Sequence, residues 1–257
     1  MAIRRFREHV ARQDWFAVLI DVGIVVLGVF LGIQASNWNE GRKTRALGAD
    51  FRQQILSDLD NNITDLASRR AYYSAVRDRS LATLAEIGSA SGPPDDTRLV
   101  LDAYQASEVF NRQIVRGAYD EMAASGLGPD VGELAVRAKM NSYYTAILAA
   151  DRTFLATTDY RDRVRRLIPS AVQQYIRANC GDLIRQHPNG LRTATLRPDC
   201  PMGVTPELIR TAAVRLRSDA ALEGDLNRHI ADLDQKILLF NGIGRLASDL
   251  RRSLAAA

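Results

Sequence analysis

Residues 15–35 read WFAVLIDVGIVVLGVFLGIQA, a run in which only Asp21 and Gln34 are strongly polar. A helix of this length rises about 30 Å, the hydrocarbon thickness of a bilayer. Trp15 and Trp38 flank the run, where indole rings favour the membrane interface. A cleavable signal peptide shares an arginine-rich start, but its apolar region is shorter, about 7 to 15 residues, and Gln34-Ala35-Ser36 is a poor small-residue cleavage site. A buried core helix is rarely apolar on every side over about six turns. The sequence therefore predicts a short basic segment over 1–14, one transmembrane helix over 15–35, and a separate domain over 36–257.

Orientation follows from Arg4, Arg5, Arg7 and Arg12, which the positive-inside rule keeps in the cytoplasm, leaving 36–257 in the periplasm of a bacterial inner membrane. Arg42, Lys43 and Arg45 just beyond the span weaken that bias. Before the span, Ile3, Phe6 and Val10 recur at helical spacing, a pattern shared by a helix lying on an anionic leaflet and by a frayed charged tail.

Within the span, Asp21 is costly at bilayer depth unless it faces protein, water or a partner. At 100° per residue, Gly28, Gly32, Ala35 and Asn39 fall within about 40° of it, so the acid and a small-xxx-small pair share one stripe. That stripe predicts a helix-helix contact, with a second copy or another membrane protein.

Composition bounds the rest. The chain has 257 residues, 46% apolar and 25% charged, enough to bury a core without metal or disulfide support. A pI near 9.3 invites a nucleic-acid reading. Outside residues 1–35, however, 30 basic side chains face 27 acidic ones, and lysine occurs only at Lys43, Lys139 and Lys236. The high pI reflects arginine usage rather than a phosphate-collecting field, and nucleic acid is not an expected partner.

Beyond the span, apolar residues recur at Leu47, Phe51, Ile55, Leu59, Ile63, Leu66, Tyr73, Val76, Leu84 and Ile87, mostly in steps of three, four or seven. This predicts one long amphipathic helix, open to continuity with the membrane helix and ended by the loop from Gly88 to Pro94. A second helical block begins near Thr97, carries Leu99, Tyr104, Phe110 and Ile114, and stops at Ser125-Gly126 before Pro129. A third runs from Asp130 to Leu167, with Pro169 ending or kinking it. The last starts near Pro206, breaks near Ser218, and continues with Leu222, Leu226, Ile230, Leu233, Ile237 and Phe240 in a near-heptad pattern. No stretch alternates as a strand. The expected fold is all-α, a transmembrane helix followed by an antiparallel α-helical bundle.

Cys180 and Cys200 lie in a Pro/Gly-rich connection between helices. Two cysteines in one loop of an exported domain suggest a disulfide, with two free buried thiols as the alternative. With His187 they lack an evident fourth ligand, so no metal is expected.

Two motifs carry a resemblance. The apolar helix running into Ser36-Asn37-Trp38-Asn39-Glu40, with an acid early in the span, resembles a bacterial family of single-pass membrane proteins of unknown function that ends its helix in N-N-W-N-E. Tyr119-Asp120-Glu121-Met122-Ala123-Ala124-Ser125-Gly126 is similar to that family's Y-x-E-L-x-x-S-G segment, and a helix with paired tyrosines follows, as at Tyr143-Tyr144. The likeness covers about residues 15–150. It departs at Asp21, where glutamate is usual, and at Ser36, where asparagine is usual. It implies a membrane-anchored helical protein and supplies no catalytic residue.

Enzyme chemistry finds little support. His187 and His229 fall in no metal-binding spacing. Gly88-Ser89-Ala90-Ser91-Gly92 has alanine where a nucleophile elbow needs serine. Gly242, Gly244 and Ala247 fit a loose G-x-G-x-x-A, but the preceding pattern is helical and the ten residues after Ala247 are too few for a βαβ unit. Arg161, Arg163, Arg165 and Arg166, interleaved with Asp159 and Asp162, read as a solvated helix face, with an anionic ligand or lipid headgroup as the alternative, and Asp58, Asp60 and Asp65 point in different directions on theirs. Tyr119 and Met122, at i,i+3, make a sensible core face. The expectation is a non-enzymatic protein without a cofactor, in contact with the bilayer and with a second copy or another membrane protein. The alternative is an extracytoplasmic small-ligand sensor, signalling through a partner because residues 1–14 are too short for an output domain.

Overall fold

A computed structural model describes residues 15–88 and 94–256, and the side chains from Leu19 onward. The predicted basic segment 1–14, most of the Gly88–Pro94 loop and the Trp15 side chain lie outside these. Helix dominates, and the first described helix, α1, runs without interruption over Trp15–Gly88, 74 residues. The membrane-like stretch and the long amphipathic helix are thus one element. Among its described side chains, from Leu19 onward, nothing in the apolar stretch is buried.

Packing on α1 starts at Gly48, the first buried residue along it. A Cβ there would meet the Asp130 backbone oxygen at 2.6 Å, so the glycine lets the short helix α4 (Gly128–Val131) cross close by. Leu47, expected on the buried stripe, is instead 50% exposed. From Gly48 the buried face advances by threes and fours through Phe51, Ile55, Leu59, Asn62, Leu66, Arg69, Tyr73, Val76, Ser80 and Thr83.

The last helix, α9 (Leu222–Ala256), lies along this seam. Asp60 pairs with Arg251, Arg70 donates to Asn241 Oδ1 at 2.9 Å, and Arg77 pairs with Asp234. Helix α5 (Leu134–Leu155) covers a further side of α9. The Phe154 and Phe240 rings stack at 4.4 Å, and Lys139 Nζ donates to Ser253 Oγ at 2.7 Å. These three helices and α3 (Gly117–Ser125) build one core. A second core gathers α2 (Asp96–Ala106), α6 (Asp159–Leu167), α7 (Ser170–Asn179), α8 (Pro206–Ser218) and the start of α9.

Three expectations need correction. The helical block after Thr97 ends at Ala106, where Ser107 Oγ donates to Tyr104 O at 2.6 Å and competes with continuation. Non-helical chain then runs to Arg116 along α1. The block after Asp130 is likewise interrupted at Ala156-Thr157-Thr158, where two adjacent β-branched residues weaken helix before α6 begins. Finally, the loop between the cysteines is not strand-free. Leu183–Gln186 (β1) and Arg192–Thr195 (β2) form an antiparallel hairpin, Leu183 opposite Thr195, with Gly190 at φ +80° in the turn. Four-residue strands are too short to display alternation, and every β1 residue is exposed. Cys180 and Cys200 flank the hairpin at disulfide distance, Cα atoms 5.4 Å apart.

Candidate functional site

The buried seams of α1 and α9 are polar at particular positions, and each polar residue has a backbone to serve. On α1, Asn62 donates to Val115 O at 2.6 Å and accepts from Val115 N at 3.0 Å. Arg69 donates to Arg112 O at 2.9 Å and to Asp65 at 2.6 Å. Tyr73 donates to Asn111 Oδ1 at 2.9 Å and accepts from Phe110 N at 3.3 Å. The 107–116 segment has no helical or sheet partner, so buried side chains supply the hydrogen bonds its peptide groups require. The guanidinium of Arg69 also faces the rings of Phe154 and Phe240, at 5.6 and 5.2 Å.

On α9 the seam advances as Leu222, Leu226, His229, Leu233, Lys236 and Phe240, placing His229 and Lys236 where the pattern calls for apolar side chains. Both meet helix ends. His229 Nε2 lies 2.8 Å from Ala106 O at the end of α2, and Nδ1 lies 2.7 Å from Thr158 Oγ1. A carbonyl only accepts, so Nε2 carries the proton and Nδ1 accepts from the threonine hydroxyl. Burial pushes the imidazole pKa down to about 4, with the Ala106 contact opposing it. Lys236 donates to Ala156 O just past α5 and lies 5.2 Å from the Tyr73 ring. Its ammonium is pushed down to about 8 by burial, against the pull of Asp232.

Around this pair the surface opens. A depression of about 320 Å³ is lined by Arg152, Thr153, Ala156, Thr157, Thr158, Arg228, Asp232, Gln235 and Lys236. Next to it, and sharing Lys236 and Asp232 with it, is a narrow void of about 10 Å³, room for one water, bordered by Tyr73, Glu108, Arg161 and His229. A larger groove of about 540 Å³ lies between α1 and α9, with Arg70, Arg245 and Arg252 over Ile63, Leu66 and Phe240, but its cations are exposed and none is held by burial.

The residues singled out from sequence fall elsewhere. Asp21, Gly28, Gly32 and Ala35 are exposed on α1, and a Cβ at either glycine would meet nothing within 4 Å. Asn37, Trp38, Asn39 and Glu40 follow on the same unpacked stretch, with Arg42 over the Trp38 ring at 4.9 Å. Tyr119 stacks on Tyr144 at 3.8 Å, so two parts of the quoted motifs meet. Met122 is buried, Glu121 is exposed, and Ser125 Oγ caps Met122 O at 2.9 Å before Gly126 turns the chain at φ +74°. In the arginine run of α6 only Arg166 is left exposed and, among the described residues, unpaired, while Arg161, Arg163 and Arg165 are half-buried in ion pairs. Arg163 pairs with Asp219 and Asp225, and Arg165 pairs with Glu108 at 3.0 Å while lying 3.5 Å over the Tyr104 ring.

His229 and Lys236 are the residues the apolar pattern passes over. Steps of three from Leu226 and Leu233 lead to them, whereas Ile230 and Ile237 beside them, reached by steps of four, are only partly buried. Among the described residues, no group of three or more His, Cys, Asp or Glu side chains is arranged to hold a metal. No family model matches the chain, and neither a curated protein nor a solved structure matches it.

Proposed function

We propose that the chain is a non-enzymatic single-pass inner-membrane protein whose periplasmic part, an antiparallel helical bundle, acts as an interaction or assembly subunit. The observation that carries this reading is the continuity of α1, whose described apolar residues are nowhere buried while its residues from Gly48 onward enter a packed core. A soluble protein gains nothing from an apolar, uncovered stretch of this length. The pairing of rising α1 numbers with falling α9 numbers, Asp60 with Arg251 and Arg77 with Asp234, supports the antiparallel arrangement. The cysteine pair supports an oxidising compartment. The resemblance to the bacterial single-pass family over about residues 15–150 points the same way.

The Asp21, Gly28, Gly32 and Ala35 stripe is the contact face in this proposal, with a second copy or another membrane protein against it. Native mass spectrometry of the full chain gently extracted from its membrane is the test. A defined oligomer or complex that is lost with Gly28→Ile and Gly32→Ile is the expected result. A bare monomer, or an assembly indifferent to both substitutions, overturns the contact.

A further inference from the structure

The buried ammonium of Lys236 raises a question the packing does not answer. Its side chain is 95% covered, since the residue is 5% exposed, and its one hydrogen-bond acceptor is a neutral carbonyl, Ala156 O. Buried cations are ordinarily neutralised by a carboxylate in contact. Among the described residues no carboxylate is within ion-pair distance of Lys236, and Asp232 attracts it only at longer range. Asp232, one turn earlier on α9, is the only acid of the outer depression and lies 3.9 Å from Arg228. Glu108, on the far side of the void, is held by Arg165 at 3.0 Å and Arg161 at 3.9 Å. Arg152, on the opposite wall, has no ion-pair partner among the described residues. The depression thus presents three cations against one acid, together with the hydroxyls of Thr153 and Thr157, and its volume of about 320 Å³ suits a small molecule.

We infer that this depression binds a small organic anion bearing a carboxylate or phosphate group, with Lys236 at its floor and Arg152 and Arg228 at its rim. A planar guanidinium recognises either group in bidentate fashion, and the ammonium supplies a point charge already removed from water. The two N–H bonds of Lys236 not given to Ala156 are available to the ligand. The site lies wholly within the packed domain and does not depend on the membrane reading.

Isothermal titration of the full chain in a neutral detergent, with inorganic phosphate and with succinate as probes, tests this. Saturable binding of one or both is expected, and which of them binds identifies the anion class. Lys236→Met is expected to weaken it roughly ten- to hundredfold, the range of a charge-assisted hydrogen bond. The double variant Arg152→Ala/Arg228→Ala, at exposed positions, is expected to lose affinity as well and decides the matter alone if Lys236→Met does not fold. Arg245→Ala, in the other groove, is the control and leaves affinity unchanged. No saturable heat with either probe, or affinity indifferent to the rim substitutions, overturns the site.

Discussion

His229 is neutral in the core because protonating it would place a proton on Nδ1, which already accepts from Thr158, and would bury a charge with no counter-ion in contact. Its folded pKa is depressed from 6.5 to about 4, so its contribution to stability is present above the ordinary value and is lost as pH falls from there toward about 4. The expected loss between about pH 7.5 and 5 is about 2 kcal/mol. Chemical denaturation at both pH values checks it, and His229→Gln should lack this part of the slope. Arg69 is the matching test on α1. Arg69→Met leaves Asp65 buried without its partner and Arg112 O without its donor, and should cost about 3 to 5 kcal/mol in denaturant unfolding. These residues were only half legible in the sequence. The spacing that reveals the seams points straight at Asn62, Arg69, His229 and Lys236, but an eye for apolar side chains moves to Ile63, Ile230 and Ile237 next to them. What makes a polar seam residue tolerable is a bare backbone opposite, and spacing on one helix carries no information about that.

Elements were readable in proportion to their length. The 74-residue α1 and the 35-residue α9 repeat their buried steps often enough to stand out. The hairpin lacks the length to show a period, although Asn189-Gly190 between its strands is a turn pair of the kind that closes hairpins. The non-helical 107–116 run is apolar enough at Val109, Phe110 and Ile114 to pass for helix, and only its contacts with α1 distinguish it. Two predictions belong here. Gly48→Leu forces α4 away from α1 and should destabilise by about 1 to 3 kcal/mol, as overpacking does, measured by thermal or chemical unfolding. The proposed bond across the cysteine pair, 20 residues apart, closes a loop whose loss in Cys180→Ser with Cys200→Ser should cost about 3 kcal/mol in the same assay. Peptide mapping without reductant should recover the two cysteines joined, and free thiols in periplasm-derived protein would contradict the bond.

For the molecule as a whole, the consequence of α1 is mechanical. About thirteen residues of helix separate Ala35 from Gly48, a rise of about 20 Å, and they carry polar side chains and the exposed Trp38 without packing on anything described. In the proposed arrangement the domain therefore stands off the bilayer on a single rod shared with its own core, and a rotation or tilt of the membrane segment reaches the α1/α9 seam with no hinge between. The direct test is on which side of the membrane that domain stands. Leu238 is 68% exposed on α9, so Leu238→Cys offers one accessible thiol while the native pair stays bonded. Labelling with a membrane-impermeant maleimide in intact spheroplasts should modify this variant and leave the parent chain unmodified. Modification that appears only after the membrane is broken would place the domain in the cytoplasm and contradict the account.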